Sequence, residues 1–65
     1  MPSTVINKYY YKPELRILTI VYNSGSVYDY LDVPQNVFDE FRAAYSKGIF
    51  LNREIKPRFA YRKRS

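Results

Sequence analysis

The sequence predicts a small α+β domain: a three-stranded antiparallel meander packed on one amphipathic helix, then a short second helical segment and a basic C-terminal tail. Three observations point there. Two runs of β-branched and aromatic residues flank a short Asn-Ser-Gly loop, which is the signature of a hairpin. A third such run precedes them. A stripe of apolar residues at helical spacing follows Val33-Pro34.

The elements can be justified in order. Residues 5–11 are β-branched and aromatic and read as a strand. Lys12-Pro13-Glu14 is a turn, with Pro13 fixing φ. Residues 15–22 form the second strand and residues 26–31 the third. Between them, Asn23-Ser24-Gly25 fits a type I turn plus a bulge, with Gly25 in the left-handed region. That loop sets Tyr22 opposite Ser26, Ile20 opposite Tyr28 and Leu18 opposite Tyr30. One face then carries Leu18, Ile20, Tyr22, Tyr28 and Tyr30. The other carries Ile17, Thr19, Val21, Val27 and Asp29, and its polar members make it the outer face.

Pro34 suits the first position of a helix, where its missing N–H is no loss. Val37, Phe38, Phe41, Ala44 and Tyr45 make the apolar stripe, while Gln35, Asp39, Glu40 and Arg42 lie away from it. Gly48 reads as the residue that ends the helix. Leu51 and Ile55, four apart, suggest a second short helical segment that Pro57 limits. Phe59-Ala60-Tyr61 reads as a short strand or an extended packed segment. Residues 1–61 thus form the domain, and residues 62–65 a disordered basic tail.

Composition narrows the function. The 65 residues include no Cys and no His. Disulfides and thiolate metal sites are excluded, and the commonest zinc ligand and general base are missing. No apolar run approaches the roughly 20 residues of a membrane span, and the N-terminus lacks the pattern of a signal peptide. The expectation is a cytoplasmic protein with no membrane association, no metal and no cofactor. Twelve aromatic residues, eight of them Tyr, must supply much of the core.

The net charge of +5 is uneven. Residues 1–46 hold four basic and five acidic side chains, a balance of −1. Residues 47–65 hold seven basic and one acidic, a balance of +6. Such a basic end suits a polyanion.

The stretch Tyr28-Asp29-Tyr30-Leu31-Asp32-Val33-Pro34 resembles the central Tyr-x-Tyr…Val-Pro signature of the KTSC domain family. The likeness runs on through Tyr11, Leu18, Ile20, Tyr22 and Gly25. It continues through Ala44, Ser46, Lys47, Gly48, Leu51-Asn52, Ile55, Phe59 and Tyr61. Leu51 and Phe59 stand where aromatic residues such as Phe and Tyr are expected. The family is named for its place at the C-terminus of some lysyl-tRNA synthetases and also occurs as stand-alone proteins. The resemblance implies the fold above, and its synthetase context implies RNA binding.

The candidate site is therefore a nucleic-acid interface. Arg53, Lys56, Arg58, Arg62, Lys63 and Arg64 would contact phosphate, and exposed members of Tyr9, Tyr10 and Tyr61 would stack on bases. A solvated tail that keeps the protein soluble is an equally good reading of the charge. Tyr28 and Tyr30 could also form a stacking platform, but a chain this short needs them in its core, with hydroxyls at the rim. Asn52 reads as a local cap or turn former before a ligand contact, and Ser46-Lys47-Gly48 as a helix end before an anion site.

Catalysis is not expected. Asp29 and Asp32 differ by three along a strand and face opposite ways, there is no Gly-rich phosphate loop, and no small-molecule substrate is expected. The alternative to RNA is a protein-interaction module, including a homodimer paired through an edge strand.

Overall fold

The computed structural model describes residues 5–64. Four strands form one antiparallel sheet in chain order: β1 (Ile6–Lys12), β2 (Ile17–Tyr22), β3 (Val27–Tyr30) and β4 (Tyr61–Lys63). Between β3 and β4 come α1 (Gln35–Ala43), the one-turn α2 (Lys47–Phe50) and a π-helical turn, Leu51–Ile55. Among the described residues, no helix is long and apolar enough to cross a membrane.

The hairpin has the register that the loop dictates. Leu18 pairs with Tyr30 and Ile20 with Tyr28, and the Tyr22 N–H donates to the Ser26 carbonyl at 2.9 Å. Gly25 has φ +96°, a region that disfavours any residue with a Cβ. The preceding turn is longer than expected. It extends through Arg16, which has φ +55°, so β2 starts at Ile17 and Leu15 is left exposed.

Leu18, Ile20 and Tyr30 point from the sheet into a core completed by Val33, Val37, Phe41, Leu51 and Ile55. The helices therefore cover this face. Tyr28 and Phe38 pack against the core while remaining half-buried. Tyr11 stacks on Phe38 (4.4 Å, 8°) and its hydroxyl donates to the Val33 carbonyl at 2.7 Å. This contact ties β1 to the link between sheet and helix.

Several expectations are corrected. The sheet has four strands, not three, because Tyr61 and two residues expected in the tail pair with β3: Tyr30 with Tyr61, Asp29 with Arg62 and Tyr28 with Lys63. Residues 62–64 are thus ordered sheet and its immediate flank; Ser65 lies outside the described residues. Pro34 caps α1 from outside the first turn.

Gly48 does not end α1. The helix stops at Ala43 because Ala44 turns to extended geometry (φ −64°, ψ 141°), and Gly48 lies inside α2. Ser46-Lys47-Gly48 opens a helix instead of closing one: the Ser46 hydroxyl accepts from the Ile49 N–H at 3.3 Å, as an N-cap does. The same break removes Tyr45 from the helical stripe and leaves it 99% exposed.

Leu51 and Ile55 are both fully buried, as their spacing predicts. Their turn is wide, closing with Lys56 N–H to Leu51 carbonyl at 2.9 Å, and Pro57 follows it.

Candidate nucleic-acid interface

Alternation along paired strands sorts the side chains onto two faces. On the face away from the helices, β1 sets Lys8 opposite Val21, Tyr10 opposite Thr19 and Lys12 opposite Ile17. β3 continues these rows with Val27 and Asp29, and β4 adds Arg62 opposite Asp29. Arg64 follows two residues later, donating its N–H to the Val27 carbonyl at 2.7 Å. None of Ile17, Val21 and Val27 joins the core cluster. This open face thus carries Lys8, Lys12, Arg62 and Arg64 along its two edges, with Tyr10, 52% exposed, on the β1 side.

The centre of the open face is polar and ordered. The Thr19 hydroxyl donates to Asp29 Oδ1 at 2.7 Å, and Arg64 Nε lies 2.9 Å from Asp29 Oδ2. One carboxylate is thereby tied down between two donors. Four cations surround it, so the face is net positive.

A second concave feature lies on the opposite side, at the hairpin end beyond the helices. Tyr22, Tyr28, Tyr30 and Tyr61 wall a groove of about 420 Å³ that Ser24, Ser26 and Lys56 complete. The Tyr28 and Tyr30 rings are near parallel at 6.2 Å, and Tyr61 tilts against both at 5.3 and 6.0 Å. The Tyr22 and Tyr30 hydroxyls share a hydrogen bond of 2.8 Å. Burial holds both hydroxyls above the ordinary tyrosine pKa, and for Tyr30 the shared bond raises it further.

The nine expected site residues are therefore not brought together. Tyr10, Arg62 and Arg64 share the open face. Lys56, Tyr61 and Lys63 gather at the tyrosine groove, where the Lys63 ammonium sits 5.9 Å from the Tyr28 ring centre. Tyr9 belongs to neither, since its ring packs edge-on against Phe41 at 5.1 Å on the core side. Arg58 pairs with Glu54 at 3.1 Å and lies over the Phe59 ring. Arg53 borders a separate depression together with Glu40, Tyr45, Ile49 and Glu54. Asn52 is exposed within the π turn and caps no helix.

Sequence similarity matches this architecture. Residues 2–59 match the KTSC domain family. The chain belongs to that family. Its likeness to a crystal structure of a KTSC domain protein from Yersinia pestis has a TM-score of 0.88 at 34% identity, covering 100% of this chain and 94% of that one.

A protein of Tsukamurella paurometabola is 42% identical over 57 residues, which is 88% of this chain and 85% of that protein. A lysine–tRNA ligase of Nostoc sp. is 40% identical over 59 residues, 91% of this chain. The chain spans only 10% of that ligase's length.

Sequence reasoning did not assemble either surface. The short strand suggested at Phe59-Ala60-Tyr61 stops short of β4's continuation through Lys63, which brings Arg62 and Arg64 into line with Lys8, Tyr10 and Lys12. Tyr28 and Tyr30 read from the sequence either as a stacking platform or as core with hydroxyls at the rim, and Tyr22, Ser24 and Ser26 only as hairpin residues. The alternation of Lys8, Tyr10 and Lys12 was the one available signal for the open face.

Proposed function

We propose that this KTSC domain is a non-catalytic module that binds single-stranded RNA, acting in the cytoplasm, and that the open sheet face is its main contact surface. The observation that carries this reading is the sharing of one face by Lys8, Lys12, Arg62, Arg64 and the half-exposed Tyr10. Four strands spaced about 4.8 Å apart make a surface some 14 Å wide. Cations at its edges suit a phosphate backbone, and an exposed ring on a strand suits an unstacked base. The lysine–tRNA ligase relative is, by its name, an enzyme of tRNA, and a portion similar to this chain within it agrees with an RNA role.

Fluorescence anisotropy with a labelled single-stranded RNA, across a range of salt, tests the reading. Four neutralised phosphates give a slope of log K on log salt near about −3. Lys8→Gln with Lys12→Gln flattens it by roughly 1.4. Tyr10→Ala weakens binding at every salt concentration without changing the slope. Absence of binding at low salt sinks the proposal.

A protein-interaction reading has its own observation. Tyr45 and Ile49, 99% and 54% exposed, border the depression beside Phe50 and Arg53. Exposed apolar side chains gathered in this way suit a protein partner. Loss of a partner on Tyr45→Ser, with RNA binding intact, would favour it.

A further inference from the structure

We infer that the tyrosine groove is a binding site for a nucleoside phosphate, with the base against the tyrosine rings and the phosphate at the lysine rim. The site stands on its own geometry and lies across the sheet from the open face, so it does not depend on the reading above.

Size comes first. Small-molecule sites begin at roughly 300 Å³. A groove of about 420 Å³ holds one base with its sugar and phosphate, but not a folded nucleic acid.

The walls are suited to a planar group. Four tyrosines line the groove, and Tyr61 is 58% exposed on the edge strand, where a second ring can reach it. Every base has a π-face, so stacking on such a ring needs no particular sequence.

The charge selects an anion. Among the described residues, no carboxylate lines the groove, whereas Lys56 does. The Lys56 ammonium sits 5.7 Å from the Tyr22 ring centre and that of Lys63 5.9 Å from the Tyr28 centre. A cationic ligand would meet two like charges at the very ring faces it would need. A neutral aromatic would leave both lysines unused.

The polar atoms are few and suitably placed. The Tyr22 and Tyr30 hydroxyls, held protonated, keep one shared proton between them and one to donate. Ser24 and Ser26 add two hydroxyls at the mouth, 3.4 Å apart and exposed. These groups can meet a base edge or a ribose. The shared chemistry of the ligand is that of a free nucleotide and equally of the phosphorylated end of an RNA strand.

The test is a titration of the isotope-labelled chain, followed by amide NMR, with adenosine monophosphate, with adenosine, and with a short RNA carrying or lacking a terminal phosphate. Adenosine monophosphate should saturably shift Ser24, Ser26, Lys56 and Tyr61 while leaving Tyr10 and Thr19 in place. Lys56→Gln should weaken the monophosphate several-fold and leave adenosine unchanged. Tyr61→Ala should weaken both about tenfold or more, and Tyr61→Phe should not. Tyr61 and Lys56 are exposed, so these variants keep the core.

A monophosphate bound more tightly than the phosphorylated RNA supports the site with a free nucleotide as its source. RNA that shifts those four residues and binds more tightly with its terminal phosphate than without it supports the site with a strand end as its source. No saturable shift at those four residues with any probe overturns the inference, as does equal monophosphate binding by Lys56→Gln and Tyr61→Ala. Shifts confined to Lys8, Tyr10 and Thr19 also overturn it while leaving the open-face reading standing.

Discussion

Arg64 Nε lies 2.9 Å from Asp29 Oδ2, while the other oxygen of the same carboxylate accepts from the Thr19 hydroxyl at 2.7 Å. The two interactions are not equal in consequence. The Arg64 side chain is 55% exposed, so Arg64→Ala should cost at most about 1 kcal/mol. Thr19 is only 4% exposed, so Asp29→Ala leaves its hydroxyl short of an acceptor and should cost about 1–3 kcal/mol. Urea unfolding of the two variants checks the order; Arg64→Ala as the more damaging change would contradict it.

Phe41 and Tyr45 lie four apart, yet only one of them is core. Phe41 is fully buried and Tyr45 is 99% exposed. Phe41→Ala should cost about 3–5 kcal/mol, comparable with the whole stability of so small a domain. Tyr45→Ala should stay within about 0.5 kcal/mol. Thermal unfolding by circular dichroism separates them, and similar midpoints in the two variants would refute the assignment.

Gly25 isolates a backbone effect. Its φ is +96°, and a Cβ built there meets nothing within 4 Å. Gly25→Val should therefore destabilise by about 1 kcal/mol or more through conformation alone, with Gly25→Asn recovering part of the loss. Denaturant midpoints decide it, and a neutral Gly25→Val would be inconsistent with the turn.

Tyr22 and Tyr30 have pKa values raised above the ordinary 10.0, first by burial. As pH climbs, the unfolded chain ionises these two before the folded one does. Their contribution to stability is thus whole below about pH 10 and is lost progressively above it. Urea midpoints should hold up to that point and then fall. Tyr30→Phe should lose about 1 kcal/mol of hydrogen bonding at neutral pH and show a shallower alkaline decline. A midpoint that rises through the alkaline range would reverse the sign and reject the argument.

The hairpin was legible because its determinants are local. Gly25 fixes the turn, the turn fixes the register, and the register selects Leu18, Ile20 and Tyr30 for the core. The buried pair Leu51 and Ile55 was legible for the same reason. The end of α1 was not, because Ala44 carries no mark of its extended conformation and Gly48 offered a more obvious stop. The run of β4 beyond Tyr61 was hidden by its own composition. Tyr-Arg-Lys has no apolar pattern, since its strand is held by backbone pairing to β3 and all three side chains are exposed. Both candidate surfaces depend on that strand, so neither could be drawn before it was seen.

The short outer strand also covers one of the two edges that β1–β3 alone would expose. Leu31 donates to the Ala60 carbonyl at 2.8 Å and Val27 accepts from Arg64 at 2.7 Å, so the flank of β3 is occupied by the chain itself. A protease that cuts after Arg58 would free this cover and bare a ready template for another molecule's strand. Clipped material would then announce itself as oligomers and precipitate well before any ligand was added.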